Sequence, residues 1–180
     1  VELPGEENRF IYIPHGVAAV IAPWNFPLAI PCGMVVGALV TGNTVILKSA
    51  EQTPLIAQAL VDLLHEAGVP SESLIHLPGE GSEVGQVLVD SNDLAGYIFT
   101  GSKVVGQMIY EKAASRVYKN PLTQKVQPVR VITEMGGKNA IIVTGNAELD
   151  ETVSGIMYSS YGHAGQKCSA ASRVIVSNKI

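Results

Sequence analysis

The stretch Thr44-Val-Ile-Leu-Lys-Ser-Ala-Glu-Gln-Thr-Pro54 continues through a long apolar-periodic run to Gly68 and then reaches Leu74-Ile-His-Leu77. Its reading decides the fold. Residues 44–47 (TVIL) are short and rich in β-branched side chains, as a buried strand is. Pro54 opens a helical pattern that runs to about Ala67, with Leu55, Ala59, Leu60, Leu63 and Leu64 on one face, and Gly68 stops it. Residues 74–77 (LIHL) form a second short apolar strand. Strand, helix and strand in that order point to a parallel sheet.

The rhythm extends both ways. Residues 17–22 (VAAVIA), 97–100 (YIFT) and 129–133 (VRVIT) read as further strands, and 27–40, 82–90 and 102–116 as helices. The expected architecture is α/β, a Rossmann-like parallel sheet with helices on both faces. After Glu134 the pattern restarts with a strand (139–143), a helix (148–162), a glycine-containing loop and a strand (173–176). A domain change is therefore expected near 134–137, followed by the beginning of a second α/β domain. Residues 116–130 (RVYKNPLTQKVQPVR) break the rhythm. They read either as a solvated surface loop or as an insertion used in subunit contacts.

The bulk numbers fit one domain, or one domain and part of another, in 180 residues. Hydrophobic residues at 47% against 16% charged support a packed core. A net charge of −4 gives no electrostatic reason to expect nucleic acid. The longest apolar run, 26–40, is interrupted by Pro27, Pro31, Gly33 and Gly37, so no membrane span is expected. No basic, apolar leader is read, and Cys32 and Cys168 lie far apart. A reduced cytosolic or organelle-matrix setting fits them better than a disulfide. The chain begins at Val1 and stops just past Arg173-Val-Ile-Val176, and the expectation is a slice of a longer protein.

Cys168 stands in Gly165-Gln-Lys-Cys-Ser169. A lone cysteine is commonly a buried structural residue. Here the neighbours make a polar loop after a helix, a poor core environment, and adjacent Lys167 favours the nucleophilic thiolate. Cys32, among Ile30-Pro-Cys-Gly-Met34, reads as structural. Pro23-Trp-Asn-Phe-Pro27 directly follows a strand. Two prolines fix the backbone about Asn25, and a rigidly held amide N–H is what an oxyanion hole requires. An ordinary turn is the plainer alternative. Glu134-Met-Gly-Gly-Lys138 ends an apolar strand with a carboxylate, a setting that suits a general base. A solvated strand-end glutamate is the alternative.

Two further features look like nucleotide contacts. Phe99-Thr-Gly-Ser102 joins a strand to a helix, and Gly101 and Ser102 at a helix N-terminus can hold a phosphate, although the GxGxxG fingerprint is absent. Lys48 and Glu51 lie just past a strand's carboxyl end, where ligands bind in open α/β sheets. A carboxylate there accepts ribose hydroxyls and repels a 2′-phosphate, which favours NAD over NADP. Each alone also reads as a solvated loop residue. His15, His65, His76 and His163 have no metal-ligand spacing and read as structural or surface residues, and no metal is expected.

In order, PWNFP at 23–27, the lysine of ILKSAEQTP at 46–54, FTGS at 99–102, EMGGK at 134–138 and GQKCSA at 165–170 resemble the aldehyde dehydrogenase superfamily over almost the whole chain. Residues 4–14 (PGEENRFIYIP), the extra residues at 116–130 and the serine after Cys168 resemble one branch of it. That branch is the glutamate semialdehyde (Δ1-pyrroline-5-carboxylate) dehydrogenases, found alone or as the second activity of bifunctional proline utilization A. The resemblance implies an NAD-binding domain at 1–134 and the start of a catalytic domain at 135–180. It implies NAD as cofactor and a small-molecule aldehyde as substrate. It also implies a homo-oligomeric, cytoplasmic or mitochondrial-matrix parent, fused in some members to a proline dehydrogenase domain. By the same resemblance Cys168 attacks the aldehyde, the Asn25 side chain and the Cys168 N–H hold the oxyanion, and Glu134 activates water. Lys48 and Glu51 bind the adenosine ribose and Ser102 the pyrophosphate, with Gly101, Pro23 and Trp24 also against the cofactor. Two departures stand out. The lysine motif reads Lys-Ser-Ala where Lys-Pro-Ser or Lys-Pro-Ala is commoner, and the family's later glutamate-phenylalanine motif is absent. Three other readings stay open: a different aldehyde substrate, a nucleotide-binding or assembly module without turnover, and a relative that releases an acyl-CoA. Glu134 argues against the last.

Overall fold

A computed structural model describes residues 4–180. Among these described residues nine strands and five α-helices follow in chain order. The first half contains β1 (Val17–Ile21), α1 (Ala29–Val40), β2 (Thr44–Lys48), α2 (Pro54–Glu66), β3 (Leu74–His76), α3 (Gln86–Asp90), β4 (Gly96–Gly101) and α4 (Lys103–Ala113). The second contains β5 (Val117–Lys119), β6 (Val126–Pro128), β7 (Arg130–Met135), β8 (Asn139–Val143), α5 (Leu149–Tyr161) and β9 (Ala171–Val176). The main sheet is parallel, in the order β3-β2-β1-β4-β7.

The strands read as continuous apolar runs because both faces of the sheet are covered. Ala18 and Val20 of β1, and Ala22 just after it, pack with Val35 and Ala38 of α1 and Ala57 and Val61 of α2. Ala19 and Ile21 face the other way, towards Leu88 and Val89 of α3 and Ile109 and Ala113 of α4. Val20, Val35 and Ile109 are wholly inaccessible. Each such side chain contributes about 1.5–3 kcal/mol of burial free energy.

Three local expectations change. The buried stripe of α2 is Ala57, Leu60 and Val61, while Leu55 is 84% and Leu63 60% exposed. The helix is rotated so that small Ala57 meets the sheet and lets the backbones approach. The helix expected at 82–90 begins instead as a π turn, Gly81–Gly85, and becomes α-helical only at Gln86. Residues 116–130 are not merely a solvated loop. β5 and β6 pair as an antiparallel hairpin, and Tyr118 and Val129 enter the α3–α4 side of the core. Asn120, 3% exposed, donates to the carbonyls of His15 (2.9 Å) and Pro14 (3.4 Å), so the hairpin is tied to the entry of β1. Its Oδ1 accepts from the backbone N–H of Leu122 and Thr123, which closes the turn.

β7 ends the main sheet at Met135, and β8 pairs parallel with β9 in a separate two-stranded sheet against α5. This second layer is thin. No residue of α5 is buried, and Ile142, Val153 and Tyr158 are exposed. Among the described residues no helix is long and apolar enough to cross a membrane.

Candidate active site

In the order β3-β2-β1-β4-β7 the chain moves outward to β3 and then returns to the other side of β1. The loops after β1 and β4 therefore diverge, and a crevice opens between them at the carboxyl ends of the strands. These loops, those after β2 and β7, and residues Gly165–Cys168 wall a cleft of about 820 Å³. Pro23, Trp24, Asn25, Lys48, Glu51, Gly101, Ser102 and Cys168 all line it. Glu134 does not. It alternates with Met135 on β7, is exposed, and is absent from the walls that Met135 and Gly136 help to form. The apolar setting expected around its carboxylate is not present among the described residues.

Cys168 is an exposed free thiol, so it is not a core cysteine. Its loop is gripped from two sides. Asn139, at the start of β8, donates to the carbonyls of Cys168 (2.7 Å) and Ala170 (3.2 Å). Asn25 Nδ2 donates to the Gln166 carbonyl at 2.7 Å. An amide nitrogen carries two N–H groups, so one remains for a ligand. Lys167, next to it in the loop, turns towards α5. Its ammonium lies 4.9 Å from the centre of the Tyr158 ring on α5. Before Gly165 the backbone is strained, with His163 and Ala164 both left-handed (φ 56° and 55°). Each such residue costs roughly 1–2 kcal/mol. Gly165 continues at φ 70°, where an added Cβ would lie 3.0 Å from the Ser160 carbonyl.

The nucleotide end of the cleft is built from backbone groups and one charged pair. Lys48 is 5% exposed and its Nζ donates to the Ser49 carbonyl at 3.1 Å. Burial pushes its amine below the usual lysine range, and the nearby Glu51 carboxylate opposes that. Glu51 Oε1 accepts from the Gly81 N–H at 2.6 Å, the first residue of the π turn. Gly81, Ser82 and Gly85 share the cleft wall and were not singled out in the sequence, although the glycine-rich Gly79-Glu-Gly-Ser82 was a usable signal. π turns recur at binding sites because their unpaired backbone groups are free for ligands. Ser102 caps α4, its Oγ accepting from Val105 N–H at 3.4 Å, and the start of that eleven-residue helix opens on the cleft. The serine of the Lys-Ser-Ala departure also has a partner. Ser49 is 2% exposed, and its Oγ lies 2.9 Å from His76 Nε2, whose Nδ1 is 2.8 Å from Gln58 Oε1. With Gln58 accepting from Nδ1–H, Nε2 accepts the serine hydroxyl proton.

These features fit a dinucleotide. A helix start suits a pyrophosphate, and a carboxylate beside a buried lysine suits ribose hydroxyls. The sequence profile of the aldehyde dehydrogenase family matches residues 1–180. The chain belongs to the aldehyde dehydrogenase family. Among the curated relatives of this family, it is 51% identical over 173 residues to 1-pyrroline-5-carboxylate dehydrogenase of Geobacillus kaustophilus (strain HTA426), covering 96% of this chain and 33% of the relative. The chain thus spans about a third of the length of the curated relatives it matches. Among solved structures, it superposes with TM-score 0.87 and 45% identity on 1-pyrroline-5-carboxylate dehydrogenase from Thermus with bound NAD, covering 99% of this chain and 34% of that one. Proline utilization A from Bdellovibrio bacteriovorus inactivated by N-propargylglycine gives TM-score 0.82 and 52% identity, over 91% of this chain and 17% of that one.

Proposed function

We propose that the protein containing this chain oxidises L-glutamate γ-semialdehyde to L-glutamate with NAD, as a step of proline degradation. The observation that supports this most directly is Cys168, an exposed thiol on a loop whose backbone is held by Asn25 and Asn139 on the wall of a nucleotide-sized cleft. The substrate follows from the 51% identical Geobacillus relative and the Thermus structure, both named 1-pyrroline-5-carboxylate dehydrogenases.

In this reading Cys168 adds to the aldehyde carbon, and the free N–H of the Asn25 amide holds the oxygen as it becomes anionic, together with the Cys168 backbone N–H. Bound NAD supplies the hydride acceptor. The thiohemiacetal on Cys168 is a hydride donor where a free aldehyde is not, and loss of hydride leaves a thioester on the cysteine. Glu134 takes a proton from the water that hydrolyses it. Lys48 and Glu51 take the adenosine ribose, Gly101 and Ser102 the pyrophosphate, and Pro23 and Trp24 flank the cofactor. Residues 1–134 form the NAD-binding domain and 135–180 the start of the catalytic domain. The parent works as a cytoplasmic homo-oligomer, and a fused proline dehydrogenase domain is in keeping with the Bdellovibrio neighbour.

The test is NADH formation from NAD and glutamate semialdehyde by the full-length protein. Cys168→Ala should abolish it, and retained activity would sink the mechanism. A higher kcat/KM on a simple aliphatic or aromatic aldehyde would reassign the substrate. An acyl-CoA product on adding coenzyme A would reassign the acceptor.

A further inference from the structure

The turn that carries Asn25 and the loop that delivers Cys168 come from opposite ends of the chain, and two hydrogen bonds join them in opposite directions. Asn25 Nδ2 donates to the Gln166 carbonyl at 2.7 Å, and His163 Nε2 lies 3.0 Å from the Asn25 carbonyl, which accepts from it. The imidazole also stacks on the Phe26 ring, with centroids 4.8 Å apart and planes tilted by 14°. His163 makes these contacts from a left-handed backbone, and Ala164 follows in the same conformation. Adjacent left-handed non-glycine residues persist only where their surroundings over-determine them. Here the over-determination is the pair of hydrogen bonds and the ring stack.

We propose that His163 is a positioning residue for the aldehyde oxidation, fixing the Asn25 amide against the Cys168 thiol by gripping the Asn25 carbonyl and the Phe26 ring. The proposal rests on the roles given above to Cys168 and Asn25. Asn139 ties the loop to β8, but between the loop and the Asn25 turn a single bond, Asn25 to Gln166, would leave the turn free to pivot about it. A second bond and a stacked ring remove that rotation. Oxyanion donors act only when already aimed, and a misplacement of about 1 Å costs on the order of 100-fold in rate. Both neutral imidazole and imidazolium donate from Nε2, so the contact does not require a particular charge on His163.

The experiment uses the full-length enzyme with His163→Asn, Phe26→Leu and the double variant. Asparagine tolerates the left-handed backbone but lacks the ring and the reach. The readouts are kcat, KM for NAD, the pH profile of kcat, and the rate at which iodoacetamide alkylates Cys168. Alkylation needs the thiol but no oxyanion donor. His163→Asn is expected to lower kcat about tenfold, with KM for NAD, the alkylation rate and the shape of the pH profile unchanged. Phe26→Leu should lower kcat by less, and the double variant should be no worse than His163→Asn, because both act through one clasp. A kcat within twofold of the parent enzyme would overturn the proposal. So would a parallel fall in alkylation rate, which marks collapse of the loop, or the loss of one limb of the pH profile, which marks a proton-transfer role. Strictly additive losses would overturn it as well. Cys168→Ala separates the two levels: if it retains activity, the reading of the site fails; if it is dead while His163→Asn is fully active, only the role of His163 fails.

Discussion

Asn25 holds its partner loop with one N–H and leaves the other open to a ligand. Replacing it with alanine removes both at once. Asn25→Ala in the full-length enzyme should lower kcat by about 10²–10³, the usual effect of deleting an oxyanion donor, while NAD affinity measured by calorimetry changes little. A second prediction concerns His76. Burial holds its imidazole below its ordinary value of 6.5, with Asp62 pulling the other way. The fold therefore prefers the neutral ring, and the unfolded chain binds more protons just below 6.5. Stability from this group is complete above 6.5 and is lost as pH falls towards the lower folded value. Urea midpoints measured on either side of 6.5 should show that loss, and His76→Asn should show less of it. At this scale the sequence was legible where backbone chemistry announces itself. Cys168 in a glycine-rich polar loop and Asn25 between two prolines both reached the cleft. The contact of Lys167 with Tyr158 was not legible, because that neighbour is set by how α5 folds over the loop. His163 was passed over because a histidine in a loop carries no sign that an aromatic ring waits for it beyond 130 positions upstream.

Among the elements, α4 and β7 meet where Gly106 faces Met135. A Cβ at Gly106 would lie 2.7 Å from the Met135 sulfur and 3.1 Å from the Phe99 ring. Gly33, in α1, has nothing within 4 Å of such an atom. Gly33→Ala should therefore raise stability by about 0.5–1 kcal/mol, the ordinary helix gain. Gly106→Ala should lower it, because overpacking costs about 1–3 kcal/mol and outweighs that gain. Urea unfolding of the two variants side by side checks both signs. The strands of the main sheet were legible because β-branched runs buried on both faces have few other uses. The face of α2 was not, since Leu55, Ala59 and Leu63 are periodic without being buried. Nor was the β5–β6 hairpin, whose core contacts, Tyr118 and Val129, are isolated among Lys, Gln and Pro and whose anchor is the distant His15 carbonyl.

At the scale of the whole molecule, cohesion is uneven. The five-stranded sheet has helices against both faces, whereas β8, β9 and α5 keep most of their apolar side chains exposed. Amide hydrogen exchange on the 180-residue chain should show β1, β2 and β4 protected longest and β8 and β9 opening first. Equal protection in the two sheets would contradict the uneven packing. The same imbalance predicts that this chain by itself binds NAD measurably but forms no NADH with the aldehyde, which calorimetry and absorbance can show together. The strand order has a temporal consequence as well. On a ribosome the chain emerges from its N-terminus, and domains settle as they appear. Every strand that frames the crevice, and the turn bearing Asn25, precedes Cys168. Cys168 is thus the last of the cleft-lining residues to be synthesised, and it arrives at a scaffold in which the Asn25 turn is already in place.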